Sequence, residues 1–188
     1  MFCIVGFLYR LLALSIIMEK PPKEPEALMV KISLTAIMTA LVTAATFMVR
    51  IPSPIGGYFN FGDVMIFIVA LTFKSVIGGF AGGVGSAISD FIGYPMFVVP
   101  TLVIKGLEGF FAGFITNKKS VFRDVLAVAV AGCEMILGYL FAEAYILQMG
   151  WETALLEVPG NIVQVAIGGL VGIPIAYVVR KRLPEILK

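Results

Sequence analysis

Hydrophobic residues in this chain fall in long unbroken runs, and polar residues gather in short stretches between them. The runs cover roughly 29–49, 62–73, 76–92, 97–116, 124–148 and 158–179. A helix rises about 1.5 Å per residue, so about 20 apolar residues cross the hydrocarbon layer of a bilayer. The pattern predicts an all-α integral membrane protein, a six-transmembrane-helix bundle. The run 62–73 is short for a span. Such a segment either starts inside the preceding loop or is a partial span enclosed by its neighbours. Residues 1–28 read as an N-terminal extension, 29–182 as the bundle and 183–188 as a tail. For residues 1–17 three readings stand open: an extra helix, an uncleaved anchor, or sequence upstream of a native start at Met18.

Composition agrees with a lipid environment. Of 188 residues, 60% are hydrophobic and 14% charged, with mean hydropathy +1.01. A soluble domain carries about a quarter charged residues. The chain has no histidine, which removes the commonest general base and the histidine-ligated metal sites. Cys3 and Cys133 are far apart and lack metal-ligand spacing, so neither a metal nor a disulfide framework is expected. No cofactor is expected. The net charge of +2 does not point to nucleic acid, because the basic residues stand at the ends of apolar runs.

Those basic residues set an orientation. With the first span starting inside, Lys20, Lys23, Lys31, Lys74, Lys118, Lys119, Arg123, Arg180, Lys181, Arg182 and Lys188 lie on the inner side, and Arg50 lies outside. Cytoplasmic loops carry the excess of Lys and Arg. Both termini are therefore expected in the cytoplasm, and "GGYFNFGD" (56–63), "GYPMF" (93–97) and "GWETALLEVPGN" (150–161) are expected to face outward.

Small residues recur at four-residue spacing. Ala36, Ala40 and Ala44 form a stripe on the first span, and Gly78–Gly82, Gly79–Gly83, Gly109–Gly113 and Gly168–Gly172 repeat the spacing. The glycines read as sites of close helix packing. The alanine stripe serves either that or the docking of another membrane subunit. "GGFAGGVGS" lacks the Gly-Lys-Ser/Thr ending of a phosphate loop, and it lies in an apolar helix.

Ionisable groups at membrane depth are costly and are functional candidates. They are Asp63, Asp90, Lys105, Glu108, Glu134 and Glu143. Lys105 and Glu108 share a helix face, either as a structural pair or at the floor of an outward-facing pocket. Asp63 and Asp90 are placed at the outer ends of their helices, where a carboxylate in a first turn caps free N–H groups. Asn161 and Gln164 face the same way just after "PG", which reads as the opening of the last helix; they either glue helices or meet a ligand. Tyr58, Phe59, Tyr94, Phe97 and Trp151 crowd the same level, as an interfacial belt or as ligand contacts.

The ordered set "IPSPIGGYFNFGD", "FKSVIGGFAGGVGSAISDFIGYP", "PTLVIKGLEGFFAGF" and "EVPGNIVQV", with the alanine stripe before it, resembles the substrate-binding S components of energy-coupling factor (ECF) vitamin transporters, in the riboflavin-type subgroup. The likeness spans about 30–182. The resemblance implies a prokaryotic cell-membrane subunit that captures a vitamin or precursor from outside, without catalysis of its own. It further implies a membrane scaffold subunit, docked on Ala36, Ala40 and Ala44, and two ATPase subunits. The loop after the first helix would be a lid carrying Tyr58 and Asn60, its swing limited by Pro52 and Pro54. Expected ligand contacts are Tyr58, Asn60, Asp63, Asp90, Tyr94, Lys105, Glu108, Glu143, Trp151, Asn161 and Gln164. A flavin wants stacking aromatics and amides, whereas pyridoxine or hydroxymethylpyrimidine wants a carboxylate for a ring nitrogen or amine; both stay open. The alternatives are a carboxylate-dependent intramembrane enzyme, which needs two convergent carboxyl groups, and an assembly subunit that binds only protein.

Overall fold

The computed structural model describes residues 24–52, 58–117 and 120–182. The readings made for residues 1–17, for Pro54 and for the 183–188 tail lie outside the described residues, as do Gly56, Gly57, Lys118 and Lys119. The elements are α1 (Glu24–Met48), β1 (Arg50–Pro52), β2 (Tyr58–Asn60), α2 (Gly62–Gly93), α3 (Val98–Ile115), α4 (Val121–Phe141) and α5 (Trp151–Arg182). A 3-10 turn, Pro95–Phe97, leads into α3, and a π turn, Ala142–Ile146, prolongs α4. Among the described residues, five helical runs are long and apolar enough to cross a membrane.

The long α2 breaks at Lys74, whose φ of 76° and ψ of −177° are not helical. A Cβ on Gly78 would lie 2.7 Å from Ala70, and one on Gly82 would lie 3.3 Å from Ile66. Positions equally far from Lys74 therefore touch, and the two arms, 62–73 and 75–93, fold back on each other. They match the two runs that the sequence separates. Lys74 sits in a backbone region nearly confined to glycine, at a cost of about 1–3 kcal/mol. Two contacts hold it there. Its Nζ donates to Thr116 O at 3.0 Å, and the bare Cα of Gly113 leaves room for the turn, since a Cβ would meet Lys74 O at 2.7 Å.

The short first arm lies at the centre, with Ile66, Phe67, Val69, Ala70 and Leu71 fully buried. Protein rather than lipid surrounds it, as a partial span requires. Phe67, Ala70 and Leu71 pack on Ala112, Ala127, Ala131 and Ala176, while Ile66 and Val69 pack on Met38 and Val42. Lipid is as apolar as leucine, so close backbone approach replaces the hydrophobic drive here. A Cβ on Gly83 would stand 2.6 Å from Leu102 O, and Cβ atoms on Gly168 and Gly172 would press on Phe67 at 3.0 and 3.1 Å.

α1 is peripheral: its most apolar window is 17% buried, against 44% for α2. Ala36, Ala40 and Ala44 are exposed on it and line an apolar groove with Phe47, Phe80, Ile88 and Ile92. The threonines beside the stripe turn their hydroxyls back on their own helix. Thr35, Thr39 and Thr43 donate to the carbonyls four residues earlier at 2.7, 2.8 and 3.0 Å.

Three boundaries differ from expectation. α1 begins at Glu24, five residues before the run that starts at 29 and inside the segment read as an extension. α4 begins at Val121, because Ser120 Oγ accepts from Arg123 N and caps it. α5 begins at Trp151, so "PG" does not open it. Pro159 lies inside, where the helix forgoes one N–H bond and continues; Ala154 and Glu157 of the preceding turns are buried.

The bundle has two polar ends. One gathers Lys74, Arg123 and Arg180–Arg182 around buried Asp124, which accepts from Thr116 and from Arg180. The other carries the β-hairpin.

Candidate functional site

β1 and β2 pair antiparallel, with Ile51 opposite Phe59 and Arg50 opposite Asn60. Alternation along β2 sends Tyr58 and Asn60 to one side, and both face a cavity at the mouth of the bundle. The hairpin is fastened to the second arm of α2. Arg50 Nη2 donates to Ser89 O and Oγ at 2.5 Å each, and its guanidinium lies 4.8, 5.1 and 5.5 Å from the rings of Phe47, Tyr58 and Tyr94. Tyr58 and Tyr94 stack at 4.3 Å between centroids. Tyr58 OH donates to Asp90 Oδ1. Burial, and then the Asp90 charge, push the Tyr58 phenol above its usual range, so it remains a donor.

Helical spacing builds the remaining walls. Phe97 comes from the 3-10 turn, Thr101 from the start of α3, Tyr139 from α4 and Glu143 from the π turn, and α5 gives Glu157, Asn161 and Gln164 from one face. Thr101 Oγ1 and Tyr139 OH share a hydrogen bond of 2.9 Å. Glu143 is buried, and its Oε2 has no hydrogen-bond partner among the described residues. The room left for water-sized centres is about 30 Å³. That suits about one or two waters, and a ring-sized guest enters only if the walls part.

Beneath the cavity lies a buried ionic cluster. Lys105 Nζ donates to Asp63 Oδ1 at 2.5 Å and to Glu108 Oε2 at 2.9 Å. Gln164 joins cluster to cavity: its Nε2 donates to Asp63 Oδ1 at 3.0 Å, and its Oε1 accepts from Asn60 N at 3.0 Å.

Of the expected contacts, Tyr58, Asn60, Asp90, Glu143, Asn161 and Gln164 meet at the cavity. Asp63, Lys105 and Glu108 are not on its wall; the ammonium draws both carboxylates inward, which is the structural pairing. Asp63 does not cap α2 either, since its Oδ1 is taken by Lys105 and Gln164, and Asn60 Oδ1 accepts from Gly62 N at 2.7 Å instead. Asp90 belongs to the last turn of its arm and bonds Tyr58. Tyr94 backs Tyr58 from behind. Trp151 is half exposed and lies 6.2 Å from the Tyr145 ring, away from the cavity. Of the four carboxylates weighed for an intramembrane enzyme, Asp63, Asp90, Glu108 and Glu143, the first and third are bridged by Lys105, while Asp90, bonded by Tyr58, and Glu143 line the cavity.

As wall residues, Thr101, Tyr139 and Glu157 were missed, and Phe97 was read with the interfacial belt. Each missed residue stands four positions before a polar residue already singled out: Lys105, Glu143 and Asn161.

Residues 27–181 match the family described as ECF-type riboflavin transporter, S component. The chain belongs to the ECF S-component family. The S component is also 44% identical, over 149 residues, to a Pyrococcus woesei protein described as an uncharacterized protein in gap 3′ region, covering 78% of this chain and 99% of that one. It is 32% identical over 144 residues to the thiamine precursor transporter HmpT of Lactococcus lactis subsp. cremoris (strain MG1363), covering 73% of this chain and 80% of HmpT. A solved structure titled "Structure and mechanism of the S component of a bacterial ECF transporter" shares its fold. That match has a TM-score of 0.63 and 17% identity over 84% of this chain and 97% of the other. The S component is thus a helical membrane protein of a transporter family rather than of an enzyme family.

Proposed function

We propose that this S component captures a small, amine-bearing heterocycle of the thiamine-precursor kind and delivers it with the help of a separate ATPase module. The observation that carries the substrate choice is Glu143. A buried carboxylate oxygen without a partner calls for a donor from outside, and Asp90 and Glu157 add negative character to the same wall. Among the described residues no lysine or arginine lines the cavity. The HmpT relative, a thiamine precursor transporter, supports the same choice.

The positive-inside pattern favours an orientation with the hairpin end outside and both termini in the cytoplasm of a prokaryotic cell. The two arms of α2 count as separate helices in a six-helix bundle. Ala36, Ala40 and Ala44 form the docking face for the membrane scaffold subunit, which carries two ATPases. Transport follows reorientation of the bundle so that the cavity reaches the cytoplasm.

Equilibrium binding to the purified protein tests the capture step, with hydroxymethylpyrimidine, thiamine, pyridoxine and riboflavin compared side by side. Hydroxymethylpyrimidine is expected to bind tightest. Riboflavin binding tightest overturns the substrate choice, and no affinity tighter than about micromolar for any of them overturns capture itself. Ala40→Trp is expected to abolish co-purification with the scaffold subunit while ligand affinity stays within about twofold, because the stripe is remote from the cavity.

A further inference from the structure

We infer that Gln164 is a positioning residue: its amide, held in one direction by the buried Asp63–Lys105–Glu108 cluster, is what lets strand β2 dock over the cavity. The inference rests on the cavity being the ligand site.

Asp63 Oδ1 already accepts from the Lys105 ammonium at 2.5 Å, so a second partner of that oxygen must also be a donor. The Gln164 atom 3.0 Å from it must be the NH₂ group. That choice turns the Gln164 carbonyl toward β2, where the Asn60 N–H stands at 3.0 Å. A reversed amide would set donor against donor at Asn60 and acceptor against acceptor at Asp63. One orientation makes both bonds and the other makes neither. Asn60 is also tied to the start of α2 through Gly62 N, and a Cβ at Gly62 would lie 2.6 Å from Asn60 Oδ1, so the end of β2 has little freedom to find another partner. After these two bonds Gln164 keeps one N–H and one carbonyl lone pair for a ligand. Lys105 and Glu108 do not line the cavity, although the Lys105 ammonium lies 5.6 Å from the ring of the wall residue Tyr139; they act on capture through the direction of one amide.

Charged and titratable groups surround this amide on every side. Asp63 comes from the first arm of α2 and Asp90 from the second; Lys105 and Glu108 come from α3, and Glu134 and Tyr139 from α4. Tyr58 comes from β2, Glu143 from the π turn and Glu157 from α5 itself. Any proton added at position 164 is felt against that background.

Hydrogen exchange at the Asn60 amide, followed by mass spectrometry on the full chain in lipid nanodiscs, tests the tie without a ligand. Gln164→Met offers no acceptor. Protection of Asn60 is expected to fall about 10-fold or more at every pH, while the central arm of α2 stays protected. Gln164→Glu places a carboxyl against the Asp63 carboxylate, and it can donate to Asp63 only when it holds a proton. Docking thus favours the protonated form. Its protection, corrected for intrinsic exchange, is expected to be near wild type at about pH 5 and to fall by about pH 9 as the two carboxylates repel, though not to the Gln164→Met level, since the carboxylate still accepts from Asn60. The wild type should show no such slope. Unchanged protection in Gln164→Met, or a flat profile in Gln164→Glu, overturns the inference; if one variant fails to fold, the other decides. Hydroxymethylpyrimidine binding, measured in parallel, separates the two claims. A wild type that shows the exchange pattern but binds no hydroxymethylpyrimidine counts against the substrate and leaves the tie standing. Binding without the exchange pattern sinks the tie alone.

Discussion

The two polar ends of the bundle are built from similar residues and finished differently. At the basic end, Asp124 is consumed: Thr116 and Arg180 both donate to it, and Lys74 closes on the Thr116 carbonyl. At the hairpin end, Glu143 keeps an unpartnered oxygen beside a cavity with about 30 Å³ of room. A buried polar network with every group satisfied rigidifies a fold, whereas one with a vacancy is costly unless something arrives to fill it. The difference separates an end whose carboxylate is fully engaged from an end that, on the proposed function, receives the ligand.

Three substitutions press on that contrast. The largest effect is expected from Asp124→Ala, which leaves the Arg180 guanidinium buried without its partner; thermal unfolding in detergent should report a loss of about 3–5 kcal/mol, with ligand affinity of the folded fraction preserved. Next comes Glu143→Gln. A hydrogen bond to a charged group contributes about 1.5–3 kcal/mol, so hydroxymethylpyrimidine should bind about 10–150-fold more weakly by calorimetry, with no loss of melting temperature. If Glu143→Gln unfolds the protein instead, the two ends do not differ as described. The smallest effect is expected from Tyr58→Phe, which removes the donor to Asp90 and should speed ligand dissociation by about fivefold in a stopped-flow chase, about 1 kcal/mol.

Much of this architecture is written in the apolar runs. Their ends fix most helix ends, and even the break at Lys74 shows as a gap between the 62–73 and 76–92 runs. The start of α5 was hidden because Pro159–Gly160 is a strong local signal, while the burial of Ala154 and Glu157 that carries the helix past it is tertiary. In the site, polar residues at depth stand out in a greasy sequence, so Asp90, Glu143, Asn161 and Gln164 were found. Thr101, Tyr139 and Phe97 are ordinary in membrane helices and only their four-residue spacing marks them. Lys105 and Glu108 were read as a pair on one helix face and do bond each other, but Asp63, read as a helix cap, closes on that pair instead. Sequence distance sets which helix face a charge occupies, and only packing decides whether that face meets the cavity or another charge.

The threonines of α1 have a bearing on how this subunit finds company. Because Thr35 and Thr39 donate to their own helix, and Thr43 has both Thr39 O and Gly85 O of α2 as acceptors, the face around Ala36, Ala40 and Ala44 offers no dangling donor to a visitor and demands none in return. A protein docking there trades one set of dispersion contacts for another, and acyl chains can close over the vacated surface without stranding a polar atom. Residence on that face is then governed by contour alone.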